Sequence, residues 1–447
     1  MLRAAAIAER AGVPSVSIVT TPFMQQAAVV SKGVGLPSLP IAEYPGVPMT
    51  DGSDAVARKV EALLPQLVAG LAGARDTGRP TAAEPGPRDV VHRGTLDEIQ
   101  ELFHKNLWSD GLPVIPPTLA RVERFLAHTR RQPDEVIGRL LPENRAATVW
   151  SIAVNAVMAG CGPEHLPLLI AAVRCLAEPK MYIRNKAMST GPHAPLVLVN
   201  GPKGRVAGLN SGMCALGPGA PSASNTVLGR AVRLTMMNVG HTYVGVSDMD
   251  TIGSPLKYSL CCAENEAESP WEPYHVSRGF ARDASTVTVH FVYGICELHD
   301  FRSTAPDDLV QVFATAATNV AQVGTGLWLI GRRADPRSKT EEKEHNTLFI
   351  CPEHAQVFAK AGWGRREIQA ALYRAARLPF RTMILNKEPK AMATAHPELA
   401  WLADHPDLPV PVVEEPTCFD IAVVGAAAGR GAYFYGAGEP VTMPVED

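Results

Sequence analysis

The chain has 447 residues, a formal net charge of −3 and 19% charged residues. That is long enough for two domains and a sizeable core, and it lacks the basic excess that nucleic-acid binding requires. No apolar run reaches the roughly 18 residues of a membrane span, the opening MLRAAAIAER lacks the apolar centre of a signal peptide, and none of the eight cysteines precedes Cys161, so a disulfide scaffold is excluded and a reducing, cytoplasmic setting is expected.

The first residues, LRAAAIAERAG, predict a helix stopped by Gly12. Val13–Thr20 predicts a buried strand. A second short helix, an extended run and a Pro/Gly turn follow, and Asp54–Leu71 has the apolar spacing of an amphipathic helix that contains Pro65. Residues 1–71 thus predict a small α/β unit whose first strand is missing. Residues 72–94 are rich in Gly, Pro, Ala and Arg without apolar periodicity, which predicts a linker. Residues 95–447 then form a larger, mixed α/β (or α+β) domain.

In that domain Thr95 and Glu98 predict a capping box for a helix to about Lys105. WSDGLPVIPPT predicts a rigid turn set by Asp110-Gly111. Thr118 is expected to cap a helix and Asp134 to begin another. Helices are predicted at Thr148–Gly160, Glu164–Leu176, Asp307–Val323 and Arg365–Arg377. Strands are predicted at Ala194–Asn200, Ser285–Leu298, LWLIG and TLFICPEH, and DIAVVGAAAGRGAYFYG predicts a last strand and a Gly-rich turn. No internal repeat is evident.

The order AAAIAERAG, GVPSVSIVTTPF, LPIAEYPGVPM over roughly the first 70 residues resembles the UGSC-like family, named for a selenocysteine (or Cys)–Gly–Ser–Cys motif just before this helix. It is also loosely similar to the redox-active part of the selenoprotein subunit of glycine and betaine reductases. The stretches WSDGLPVIPPT, NAVMAGCGPEHLP, PLVLVNGP, NSGMCALGPG and AENEAESPWEPYH resemble the domain fused to such segments. The resemblance implies thiol or selenol chemistry. No residue of this sequence matches the motif, so Met1 is expected to be internal, with the reactive residue encoded upstream.

The densest candidate region is Gly208–Phe280. LGPGAPSASNT opens a predicted helix, where free backbone N–H groups and the helix dipole favour a carboxylate or phosphate. Ser224, Asn225, Thr226 and Arg230 are the expected anion contacts, with His193, Asn210 and Asn265 completing a substrate site near a strand end. Glu264 and Glu266, with His275 close in sequence, could divide acid and base roles. Lys257 and Cys214 are weaker catalytic candidates, Cys214 through redox work. His345, Cys351, Glu353 and His354 have a metal-like pattern, but a strand-to-helix junction would make them diverge, and no metal or other cofactor is expected.

The expected function is a thiol/selenol-type oxidoreductase acting on a small anionic organic substrate, with a thiol-reductant protein as possible partner and a homo-oligomer possible. Two alternatives are an acid/base lyase or hydratase, and a non-catalytic small-molecule-binding subunit of a redox complex.

Overall fold

The computed structural model describes residues 2–48, 51–73, 85–321, 325–330, 343–384, 397–427 and 429–446. The chain separates into two compact units, one of residues 1–91 with 243–249, the other of residues 92–242 with 250–447. Residues 74–84 of the expected linker lie outside the described residues.

The first unit contains α1 (Leu2–Arg10), β1 (Ser17–Thr20), α2 (Met24–Gly33), β2 (Ile41–Tyr44) and α3 (Ser53–Ala72). The two strands are parallel, with Ser17 opposite Ile41. Gly12, at φ 76°, ends the first helix, and the Val13 N–H reaches back 2.8 Å to the Ala8 carbonyl. This left-handed stop is the one that glycine permits at little cost. The strand begins at Ser17 rather than Val13, because Ser15 is tied to Glu9, whose Oε1 accepts its N–H at 2.5 Å and its hydroxyl at 3.0 Å.

The second unit begins with α4 (Leu96–Lys105), α5 (Leu119–Leu126), the hairpin β3 (Val136–Leu140) and β4 (Arg145–Thr148), α6 (Val149–Ala159), α7 (Leu166–Ala177) and α8 (Ile183–Ala187). Next come β5 (Ala194–Asn200), α9 (Pro202–Val206), α10 (Ala223–Asn238), β6 (Cys261–Ala263), α11 (Tyr274–Ser277), β7 (Thr286–His299) and α12 (Pro306–Ala317). The remainder is β8 (Asn346–Ile350), α13 (Pro352–Lys360), α14 (Arg365–Ala375), β9 (Arg377–Pro379), α15 (Phe380–Met383), β10 (Pro409–Pro411), β11 (Phe419–Val423) and β12 (Arg430–Pro444). Helices with mixed sheets place the chain in the α/β or α+β class.

The Thr95–Glu98 capping box is present, and Thr148 forms a second one with Ser151. Four expectations change. The segment from Asp134 is a hairpin, because Asn144 makes a left-handed turn (φ 54°) and Gly138 lets the chain pass close to Ala177. Within LWLIG, Leu327–Ile330 is a single 3₁₀ turn anchored by Trp328 Nε1, which donates to the Pro411 carbonyl at 3.1 Å; Gly331 lies outside the described residues. The strand TLFICPEH stops at Ile350, since Pro352 has no N–H to give a ladder and starts a helix instead. The closing stretch, expected as one strand and a Gly-rich turn, holds a second strand as well, since AYFYG belongs to the long strand β12.

Six strands form one sheet in the order β11-β8-β12-β7-β5-β6. β5 and β6 are parallel, as are β8 and β11, while the three inner pairings are antiparallel. The order therefore reads alike from both edges. In each half a helix pair (α9 and α10, or α13 and α14) crosses between the parallel strands. The edges meet: the Asn265 N–H beyond β6 donates to the Val423 carbonyl of β11 at 2.7 Å.

The sheet thus rolls into a barrel, and the two-residue side-chain period sorts its strands. Val197, Val199, Val287 and Val289 face outward beneath α6, α7 and α10, and Leu348, Ile350, Ile421 and Val423 face outward beneath α12, α13 and α14. Leu196, Leu198, Cys262, Val292, Phe349, Ala422 and Phe434 fill the interior. Burial of these three clusters is the main stabilisation of this unit. Among the described residues no helix is long and apolar enough to cross a membrane.

Candidate functional site at one end of the barrel

Antiparallel pairing brings the end of β5 and β6 to the start of β7, β8 and β11. At this end the inward positions become polar: Asn200, Thr288, His290, Thr347 and Asp420 are all buried. Buried polar groups require partners, and they find them in each other. Asp420 accepts from Tyr274 Oη at 2.8 Å and from His345 Nδ1 at 2.7 Å, and Arg278 Nη1 lies 3.7 Å away. Burial would raise the Asp420 carboxyl, but His345, Arg278 and His290 together hold it below the usual carboxylate range. A carboxylate only accepts, so His345 Nδ1 carries the hydrogen. Its Nε2, with no partner among the described residues, is then the basic nitrogen.

His290 is fixed in the opposite tautomer. Its Nε2 lies 3.0 Å from the Gly438 carbonyl, which can only accept, and its Nδ1 is 2.8 Å from the Thr347 hydroxyl. Burial drives its pKa down to about 3, so it stays a neutral imidazole. Burial and the neighbouring Asp420 push the Tyr274 phenol well above 10, so it remains a proton donor. Arg278, although burial opposes its charge, is held protonated by the carboxylates of Asp420 and Glu439. Beside Tyr274, His290 and Asp420 lies a small cavity, lined also by Thr288 and Thr347 and, on its apolar side, by Leu196, Leu198, Ala422 and Pro440; His345 and Arg278 are not among its lining residues. It admits about one water molecule. No group of three or more metal-binding side chains gathers among the described residues.

Of the residues expected from the sequence, Glu264, Glu266 and Asn265 lie beside this cluster. Glu264 is buried; Tyr274 N–H donates to its Oε2 at 2.6 Å, Asn200 Nδ2 at 2.5 Å, and Arg365 Nη2 pairs with its Oε1 at 2.8 Å. Burial pushes its carboxyl up against the pull of Arg365 and the two amide donors. Glu266 accepts from the same Asn200 amide at 3.1 Å and from the Gly201 N–H at 2.7 Å. Asn265 Nδ2 donates to Glu268 at 2.6 Å and to the Gly425 carbonyl at 2.9 Å. His275 does not join the acids: its Nε2 contacts the Ala281 carbonyl at 3.1 Å, and its Nδ1 is buried without a partner among the described residues.

The expected anion loop is stapled internally. Asn225 donates to the carbonyls of Asn210 and Ala215 and accepts the Asn210 N–H at 2.8 Å, while Asn210 Nδ2 donates to Ser222. Thr226 Oγ1 donates to the Ser222 carbonyl at 3.0 Å. Ser224 sits against Gly208. Arg230 makes a bidentate pair with Asp110, both contacts at 2.8 Å, and also donates to the Pro113 carbonyl, so it locks the DGLP turn onto α10. Cys214 is exposed at φ 55°. Lys257 pairs with Asp250 at 2.7 Å, and the His193 ring packs 4.4 Å from that of Tyr293.

Tyr274, Arg278, His290, Asp420 and Arg365 were not singled out from sequence, and His345 was weighed only for metal. A usable signal existed: in TVTVHFVYG and FDIAV a polar residue interrupts an apolar run at the alternate position that faces inward.

Residues 1–73 match the sequence model described as the UGSC family. No curated protein and no solved structure matches the chain.

Proposed function

From a chain whose first 73 residues are a UGSC-family segment, we propose that the second unit is an acid/base enzyme that adds or removes water at a small anionic organic substrate. The observation that carries this reading is a water-sized cavity lined by Tyr274 and by Asp420, whose carboxylate accepts from the Tyr274 hydroxyl and pairs with His345. Asp420 orients His345 and stabilises its charged form, His345 Nε2 takes the proton, and Tyr274 supplies one to the leaving or developing oxygen. Arg278 provides the positive charge for the substrate's carboxylate. Positioned proton transfer of this kind contributes about 10²–10⁴-fold in rate.

The test is to incubate the full chain with small hydroxy, oxo and unsaturated carboxylic acids in deuterated water and follow each by NMR. At least one should exchange hydrogen or gain or lose water. Asp420→Asn and His345→Gln should each slow that reaction by about 10²–10⁴-fold, with the fold intact. Turnover that survives both substitutions overturns the reading.

The UGSC match favours a second reading, thiol/selenol-type oxidoreduction of a small anionic substrate, in which the same cluster moves protons. Turnover that requires a thiol reductant and consumes it in proportion to product distinguishes it from the first.

A further inference from the structure

Every residue that lines the cavity beside Asp420 is buried, so a substrate enters only where the barrel wall can part. Most of the lining stands in strand ladders, with Leu196 opposite His290, Leu198 opposite Thr288 and Thr347 opposite Asp420. Positions held by the sheet's own backbone bonds open only with the sheet. Two lining residues lie outside the ladders: Tyr274, on the short turn α11, and Pro440.

Pro440 sits in a bulge of β12. Between the pairs Ala437–Phe291 and Val441–Val289 this strand runs through Gly438, Glu439 and Pro440 where β7 has His290 alone. The sequence requires the break, since Pro440 has no N–H for the ladder and Gly438 takes a left-handed φ of 75°. His290 and Pro440 both reach the cavity, so the bulge is part of its wall. Other bonds replace the missing ladder. The Gly438 carbonyl accepts from His290 Nε2 at 3.0 Å and from the His345 N–H at 3.3 Å, and the Gly438 N–H donates to Glu344 at 2.7 Å. The Pro440 carbonyl accepts from Arg278 Nη2 at 3.1 Å. Arg278 directly follows α11, and its Nη1 lies 3.7 Å from Asp420 Oδ1, the oxygen that accepts the Tyr274 hydroxyl at 2.8 Å. One guanidinium thus ties together the two parts of the wall that lie outside the ladders. Its side chain is 27% exposed, so an anion in solvent reaches it while the groups behind it stay covered.

We propose that the gap between Tyr274 and Pro440 is the entry to the Asp420 site and that Arg278 is its latch. On the acid/base reading, on which this rests, the substrate is a short carboxylic acid with its hydroxyl or double bond on one of the two carbons next to the carboxylate. The entering carboxylate replaces the Pro440 carbonyl on Arg278 Nη2, because a charged acceptor binds a guanidinium more strongly than a neutral one, and the freed bulge swings clear. Asp420 Oδ1 lies close to both the guanidinium and the Tyr274 hydroxyl, which leaves room for only a short carbon span between the held carboxylate and the oxygen that Tyr274 serves. An acid functionalised farther along its chain would carry the reacting carbon past Tyr274 into the wall of Leu196 and Leu198.

The test places a thiol in the cavity by Ala422→Cys in the full chain. Each cysteine is then followed by peptide mass spectrometry during reaction with methyl methanethiosulfonate, a small neutral reagent. Adding Arg278→Gln should speed modification at position 422 by about tenfold or more, as the loss of one charge-assisted hydrogen bond predicts. Exposed Cys214 should be unchanged and Cys175, buried on α7, should stay unmodified. An unchanged rate at position 422 overturns the proposal. Should Arg278→Gln unfold and expose Cys175 as well, Glu344→Gln, which loosens the bulge at Gly438, decides by the same comparison. Among acids that react, only those with the hydroxyl or double bond on the two carbons next to the carboxylate should do so, and Arg278→Gln should raise their KM by about tenfold or more while lowering kcat less. Reaction of acids functionalised farther along refutes the substrate assignment. If no acid reacts, the acid/base reading and the substrate assignment fall together, while the modification rates decide the entry separately.

Discussion

Removing Arg365 tests how the Asp420 end of the barrel is held. Its side chain and that of Glu264 are 9% and 0% exposed. The guanidinium donates to Glu264 at 2.8 Å, to the Ile421 carbonyl at 2.9 Å and to the Glu272 carbonyl at 2.5 Å, and it lies 5.5 Å over the Trp271 ring. Arg365→Met keeps much of the volume but leaves a buried carboxylate without its counter-charge, which costs about 3–5 kcal/mol. Burial already raises the Glu264 carboxyl, and without the guanidinium it rises further. The folded variant then keeps a proton that the unfolded chain has released, so stability falls as pH rises above the unfolded value of about 4.3. The loss should be near its full size at pH 8 and smaller at pH 5. Urea unfolding at the two pH values measures it, and Glu264→Gln in the Arg365→Met background should restore much of the loss at pH 8. A loss under about 1 kcal/mol, or equal losses at both pH values, refutes the account of Arg365 as the counter-charge.

His290 titrates in the opposite sense: it stays neutral when folded down to about pH 3, whereas the unfolded side chain binds its proton near pH 6.5, so stability is lost as pH falls between these values, by up to about 1.4 kcal/mol per unit. His290→Asn should flatten that part of the pH profile of urea midpoints. Arg230→Leu should cost about 1.5–3 kcal/mol by unpairing Asp110, and a double-mutant cycle with Asp110→Asn should show coupling above about 1 kcal/mol by urea unfolding. Gly436→Ala would drive a Cβ into the His345 carbonyl and the His290 ring; a melting-temperature drop corresponding to about 1–3 kcal/mol, with loss of the turnover assigned to Asp420, is the expected result.

Sequence reading found those elements whose signals are local. Thr95 with Glu98, Gly12 and Gly160 marked helix ends because a cap or a left-handed turn depends on neighbouring residues alone. The all-apolar β5 was equally plain. The hairpin from Val136 was obscured because its outcome turns on the fit of Gly138 against Ala177, 39 positions away. Sequence nearness also grouped Glu264, Glu266 and His275 and missed Asp420, which meets Tyr274 across 146 positions. Arg230 and Asn225 drew attention by standing at a helix start, where their role as internal staples could not be seen before Asp110 and Asn210 were placed.

The sheet's two-way symmetry places equivalent positions at both ends without any repeat in the sequence. Extending the register by one pair sets Asn200, the last residue of β5, beside Glu264 just past β6, and Cys351 beside Val424 just past β8 and β11. These are equivalent positions in the two halves, and in each the first-named residue, Asn200 or Cys351, leads into a helix. Apolar alternation inside the strands is required in both halves by the packing of α6, α7 and α10 on one side and α12, α13 and α14 on the other. The positions at these strand ends carry no such requirement, so one pair accommodates an amide and an acid tied to Arg365, and the other a thiol at the cap of α13. The scaffold constrains what lies between the two ends, and the ends are where the halves are free to differ.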